Sequence, residues 1–151
     1  MKIAVIAIGK ARRDEAAALF DHYAKRIRST LDLREIPEAK GRAADERMER
    51  EGQAILDALP KNAAVVALDP RGKTMTSETF AAFCGKTAES GRGLAFVIGG
   101  ADGLAEAVRT RADLVLSLGT MTWPHLMVRA MLAEQIYRAE TILAGHPYHR
   151  A

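Results

Sequence analysis

Two short apolar runs, Ala63–Leu68 (AAVVAL) and Leu94–Ile98 (LAFVI), constrain the fold of this chain more than any other feature. Each is five or six residues long and nearly free of polar residues. A half-exposed strand alternates apolar with polar, and an amphipathic helix repeats near every 3.6 residues; a short unbroken run fits a strand covered on both faces. Strands of that kind belong to parallel sheets whose crossover helices lie on both sides.

The rest of the chain supplies the other members of such a sheet. Lys2–Ile8 (KIAVIAI) reads as a first strand ended by Gly9, and Asp14–Ser29 as a helix with Ala17, Phe20, Ala24 and Ile27 on one face. Leu31–Ile36 reads as a more exposed strand, interrupted by Asp32, Arg34 and Glu35 and closed by Pro37. Ala43–Leu59 predicts a charged helix with a buried stripe through Met48, Ile55 and Leu59. Asp69 to Gly72 predicts a turn, and Ser77 an N-cap for a helix reaching Glu89. A short helix over Ala105–Arg111 precedes a last strand, Leu114–Leu118. Pro124 suits the first turn of a long helix ending near Leu143. The alternation predicts an α/β fold: a mostly parallel sheet with helices on both faces, in one domain spanning residues 1–151. Ligands of such sheets sit outside the carboxyl ends of the strands, which directs attention to the loops after Leu68, Ile98 and Leu118.

Composition narrows the surroundings. One cysteine, Cys84, forms no internal disulfide, and the chain opens directly on a strand with no leader-like segment; both predict a cytoplasmic protein. No apolar run approaches the ~20 residues that span a bilayer, so no membrane partner is expected. The first fifty residues hold twelve Lys and Arg against nine Asp and Glu, including Arg12, Arg13, Lys25, Arg26 and Arg28. Such a surface attracts a polyanion such as nucleic acid, and serves equally well as a solvated face.

Familiar sites are excluded by spacing. A Walker loop needs a glycine five residues before its Gly-Lys pair, and Ala67 and Phe80 stand there for Gly72-Lys73 and Gly85-Lys86. Only Gly9 follows the first strand, so no dinucleotide fingerprint is present. His146 and His149 lack the companions a zinc site requires, and no metal is expected. Cys84 reads as a small buried hydrophobe. No Gly-x-Ser-x-Gly elbow or paired-carboxylate arrangement supports hydrolysis.

Three features remain. Ile98-Gly99-Gly100-Ala101-Asp102-Gly103 ends a strand on two glycines, which either let backbone approach a ligand or make a positive-φ turn. Met121-Thr122-Trp123-Pro124-His125 leads into a helix on which His125 and Arg129, four apart, share a face. His146-Pro147-Tyr148-His149-Arg150 is an aromatic, basic, proline-stiffened terminus suited to base stacking or phosphate contact, or to docking on the protein or a partner.

Together with Leu104 and the run Ala133-Glu134-Gln135-Ile136-Tyr137-Arg138-Ala139, these blocks resemble, in order and spacing, the ribosomal RNA large subunit methyltransferase H family of the SPOUT superfamily. The resemblance covers the whole chain. It implies a deep trefoil knot near the C-terminus, S-adenosylmethionine as cofactor, and a homodimer as active unit. It also implies a substrate: N3 of a pseudouridine in a hairpin loop of 23S rRNA, within the large subunit or assembled ribosome. By position, Leu68, Gly99, Gly100, Leu118, Gly119, Thr120, Met121, Thr122 and Trp123 match the family's cofactor-contacting segments. Gly119 departs from the pattern, standing where relatives often carry a larger residue.

For that chemistry a base must reach the acceptor's proton, and His125 and His149 are the candidates. Arg129 and Arg150 are suited to stabilising developing oxygen charge or gripping phosphate, and Tyr148 to stacking on a base extruded from its helix. Two rival readings stand beside this one: a non-catalytic RNA-binding module on the same fold, and an α/β nucleotide or flavin binder with no RNA partner.

Overall fold

The computed structural model describes residues 1–150. Five parallel strands, β1 (Lys2–Ile8), β2 (Thr30–Ile36), β3 (Ala63–Lys73), β4 (Gly93–Ile98) and β5 (Leu114–Leu116), form one sheet in the order β2-β1-β4-β3-β5. Between them run α1 (Glu15–Ala24), α2 (Ala44–Ala58), α3 (Ser77–Glu89) and α4 (Glu106–Arg111), and α5 (His125–Leu143) follows β5.

Side chains alternate between the two faces of each strand. Ile3, Val5 and Ala7 of β1, Val66 and Leu68 of β3, and Leu94, Phe96 and Ile98 of β4 pack with Phe80 and Cys84 of α3 and Leu132 and Ile136 of α5. Their neighbours Ala4, Ile6 and Ile8, Val65 and Ala67, and Ala95 and Val97 pack on the other face with Ile55 of α2 and Val108 of α4. The two apolar runs are therefore continuous because both of their faces are core. β2 is an edge strand on which exposed and half-buried residues alternate. Burial pushes the Cys84 thiol up to about 12, so it stays protonated.

Some boundaries differ from the sequence reading, each for a tertiary reason. The first helix stops at Ala24 rather than Ser29. Arg26 N–H bonds back to Tyr23 O at 2.9 Å, which tightens the last turn. The backbone N–H groups of Arg28 and Ser29 then donate to the Glu140 carboxylate on α5, at 2.8 and 3.0 Å. The expected turn at Asp69–Gly72 is part of β3, which runs on to Lys73. Leu116 pairs with both Leu68 and Lys73 across that irregularity. Gly72 permits it, since a Cβ there would lie 2.6 Å from Val115 O. β5 ends at Leu116, two residues early; beyond it Ser117 N–H still reaches Lys73 O at 2.9 Å. Thr76 rather than Ser77 caps α3, its hydroxyl accepting from Thr79 N–H at 3.1 Å. Pro124 is the N-cap of α5 rather than its first turn.

Candidate functional site

The strand ends create the site. β3 leads to α3 on one face and β4 to α4 on the other, so the chain parts beyond their carboxyl ends. A cavity of about 220 Å³, open to solvent, lies there. Leu68, Asp69 and Pro70 from β3 line it, with Ile98, Gly99, Gly100, Ala101, Gly103 and Leu104 after β4. Leu118, Gly119, Met121, Thr122 and Trp123 close the third side, and His125 and Val128 of α5 reach it from below. The structure thus brings together Leu68, both glycines and the loop after β5. Thr120 is exposed and does not line the cavity.

The glycines divide their roles. A Cβ on Gly99 would lie 3.0 Å from Gly103 carbonyl atoms, and one on Gly100 2.9 Å from Ile8 Cγ2. Both are small because the loop folds tightly on itself and on β1. Gly103, at φ +87°, carries the positive-φ turn. Gly119, at φ +113°, also requires glycine, and a Cβ at either position would meet only open space. Apolar walls with exposed loop backbone suit a flat heteroaromatic ring with polar edges.

Two charged pairs hold these loops. Asp69 is buried, and Arg71 binds it through backbone N–H, Nε and Nη2 at 2.9, 2.9 and 2.8 Å. The guanidinium holds the Asp69 carboxyl below the usual carboxylate range. Asp102 is gripped by Arg47 of α2 at 3.0 and 3.2 Å, and Arg47 also donates to Gly41 O at 2.9 Å. Helix α2 thereby ties the loop before it to the glycine loop.

His125 is half-buried beside Gly9; a Cβ at Gly9 would lie 3.8 Å from His125 Nε2 and 3.5 Å from Glu38 Oε1. Arg129 shares the helix with His125 but points inward. It is 2% exposed, with Nη1 donating to Glu35 at 2.7 Å and Nη2 to Gly9 O at 2.7 Å. Glu35 also accepts from Ala11 N–H, and although burial raises its pKa, these bonds and the Arg129 charge hold it below the usual range. Arg129 therefore pins the β1–α1 loop, which carries exposed Lys10, Arg12 and Arg13, and presents nothing to the surface.

The tail lies away from this cavity, on α5 and α3. Tyr148 donates to Glu134 at 3.0 Å, meets Tyr137 edge-on at 4.7 Å, and sits between Arg26 and Arg138, whose guanidinium carbons are 5.8 and 4.9 Å from its ring centre. Burial and the Glu134 bond raise its phenol pKa. Arg138 lies 3.1 Å from His149 Nδ1, and Glu78 lies 2.9 Å from Nε2. An arginine only donates, so Nδ1 accepts and Nε2 carries the proton given to Glu78; neither nitrogen is a free base in this arrangement. Arg150 is exposed. Of the candidate bases, His125 alone lines the cavity.

Asp69, Glu38 and Glu51 escaped the sequence reading. Asp69 carried a signal, standing directly after Leu68 at a strand end. Glu38, exposed beside His125, and buried Glu51 lie in charged stretches where nothing local tells a buried carboxylate from a solvated one. A second groove, of about 500 Å³, runs between α1, α5 and residues 74–77. It carries Leu19 and Met127, 47% and 41% exposed, and shares Leu118 and Gly119 with the first cavity.

Residues 1–149 match the family described as "Predicted SPOUT methyltransferase". The chain is 53% identical to a ribosomal RNA large subunit methyltransferase H from Rhodospirillum centenum, with all of both chains covered. It is 49% identical to the protein of that name from Xanthobacter autotrophicus, again over both full lengths. Among solved structures it resembles a probable methylase family protein from Haemophilus influenzae (TM-score 0.56, 12% identity, 95% of this chain and 66% of that one). It also resembles the SpoU methyltransferase AviRb from Streptomyces viridochromogenes, in complex with AdoMet (TM-score 0.52, 12% identity, 93% and 61%). At that identity the structural likeness speaks for the fold alone.

Proposed function

The chain belongs to the SPOUT methyltransferase family, and on that premise we propose that it transfers a methyl group from S-adenosylmethionine to ribosomal RNA of the large subunit. The observation that carries this reading is the convergence of Leu68, Gly99, Gly100 and the Leu118–Trp123 loop on one cavity at the carboxyl ends of β3, β4 and β5. Such a cavity would also take an unstacked RNA base, so binding of the methyl donor is what separates this reading from a purely RNA-binding module.

The donor fits the residues present. Leu68, Leu118 and Met121 offer walls for an adenine ring, Asp69 an acceptor for hydroxyl or amine groups, and the open sides of Gly103 and Gly119 room for close backbone contact. The bound donor supplies a methyl group already activated on a sulfonium, so the protein's main task is alignment. We assign the acceptor as N3 of a pseudouridine in a 23S rRNA hairpin loop. Its N–H lies between two carbonyls and must lose its proton near the time of transfer. His125 takes that proton, being the imidazole that lines the cavity. Arg129 acts through Gly9 and Glu35, holding the basic β1–α1 loop toward the RNA.

The active unit is a homodimer formed through the groove between α1 and α5. Exposed Leu19 and Met127 support this, as does the wall that groove shares with the cofactor cavity. Tyr148, His149 and Arg150 then serve the partner's cavity, since they do not line their own. A trefoil threading of the C-terminal segment is what membership of the SPOUT family implies. No helix among the described residues is long and apolar enough to cross a membrane.

Calorimetric titration with S-adenosylmethionine, with ATP and flavin as controls, tests the reading, followed by methyl transfer to large subunits and intact ribosomes. Saturable binding of S-adenosylmethionine alone and labelled 23S rRNA are expected. Absence of binding with ribosomes present would refute the assignment and leave the RNA-binding module.

A further inference from the structure

Two carboxylates are buried among the described residues, Asp69 and Glu51. Their circumstances differ. Asp69 is neutralised by Arg71. Glu51, on α2 and 5% exposed, makes no direct ion pair among the described residues; Arg47, one turn earlier on the helix and bonded to Asp102, is the cation that feels its charge. Its Oε2 accepts from Ala39 N–H at 3.0 Å, while Oε1 has no hydrogen-bond partner. That oxygen lies behind the glycine loop, 3.3 Å from where a Cβ on Gly100 would stand, and Gly100 lines the cofactor cavity.

Three other carboxylates near the cavity are ion-paired. Arg71 answers Asp69, Arg47 answers Asp102, and Arg129 answers Glu35. Arg47 thus faces two carboxylates, Asp102 and Glu51, and grips only the first, so one buried carboxylate is left in excess at this end of the sheet. A charge held there without a partner costs stability, so a packed helix position would be better filled by an apolar side chain unless the charge acts on something else.

Resting on the methyltransferase reading above, we propose that Glu51 is a specificity-determining residue: its buried charge favours the cationic methyl donor over the neutral product, S-adenosylhomocysteine. The two ligands have the same adenosine and amino-acid ends. They differ by the methyl group and the positive charge on sulfur. Backbone and apolar contacts from Leu68, Gly100 and Leu118 cannot tell them apart by charge. A carboxylate acting through a low-dielectric wall can, and it weakens its hold once the methyl group has gone, which assists product release.

The test is calorimetric titration of the wild type and Glu51→Gln with S-adenosylmethionine and, separately, S-adenosylhomocysteine, plus a melting curve of each unliganded protein. Glutamine keeps the shape and the acceptor for Ala39 N–H while removing the charge. Donor affinity should fall on the order of tenfold, the effect of one unit charge at an effective dielectric of about 20 and a separation of roughly 12 Å. Product affinity should stay within about twofold, and the melting temperature should hold or rise. Equal weakening of both ligands, or an unchanged ratio, overturns the proposal and leaves Glu51 as a structural tether of Ala39. Glu51→Met repeats the measurement should Gln fold poorly, with the same shift in the ratio expected. If the wild type binds neither ligand, the methyltransferase reading itself fails, an outcome separate from an unchanged ratio.

Discussion

Replacing Arg129 by methionine distinguishes an architectural arginine from one that touches RNA. Methionine matches much of the buried volume and leaves little cavity. The loss is therefore polar. Gly9 O loses its 2.7 Å donor inside the protein, and a buried unsatisfied group costs about 1–3 kcal/mol. Glu35 loses its buried cation, but its side chain is 30% exposed and can rehydrate, so its share is about 1 kcal/mol. The sum is about 2–4 kcal/mol. At about 2–4 °C per kcal/mol for a domain of this size, the melting temperature should drop by roughly 4–16 °C. Thermal unfolding followed by circular dichroism reads this directly. RNA affinity should fall through disorder of the Lys10–Arg13 loop, and supplying the folded state with cofactor should restore part of the stability. A variant that keeps its wild-type melting temperature while losing one unit of salt-dependence slope in RNA binding would refute the reasoning, because that pattern belongs to a phosphate contact.

Three further outcomes follow from the same geometry. Gly100→Ala drives a Cβ against Ile8 and Glu51 and should cost about 1–3 kcal/mol in denaturant unfolding, with weakened cofactor binding. Met127→Asp should convert the proposed homodimer to monomer in sedimentation, raising its dissociation constant by about a hundredfold or more, because a charge would enter the apolar groove proposed as its interface. Asp69 has a lowered folded-state pKa, so the unfolded chain binds its proton first as pH falls. Its stabilising share is complete above the ordinary aspartate value near 4 and disappears as pH drops through the folded value; the stability gap between wild type and Asp69→Asn should therefore close below about pH 4.

Much of the molecule is legible in short stretches of chain. Ala63–Leu68 and Leu94–Ile98 announce buried strands because burial on both faces leaves no position for a polar residue, and the helices between them show their apolar stripes. The strand-end loops marked by Leu68, Gly99-Gly100 and Leu118–Trp123 could be nominated from connectivity, since ligands of parallel sheets gather at carboxyl ends. Chain reversals that depend on distant partners could not. The first helix ends early because Glu140, more than a hundred residues away, takes the N–H groups of Arg28 and Ser29. The expected turn at Asp69 is extended strand because Gly72 lets Val115 backbone pass within reach.

The fate of individual charges was likewise settled by the tertiary structure. Arg129 and His125 look alike as a helical pair four residues apart, yet one lines the cavity and the other is sealed against β1. Glu51 sits in a run of charged residues, and only its place behind Gly100 leaves it buried with one oxygen unbonded. Hydrophobic periodicity reports which face of an element is buried, and the sequence carries that by itself. Electrostatic roles depend on which charges meet across the fold, and those meetings exist only once the sheet order and the helix docking are in place.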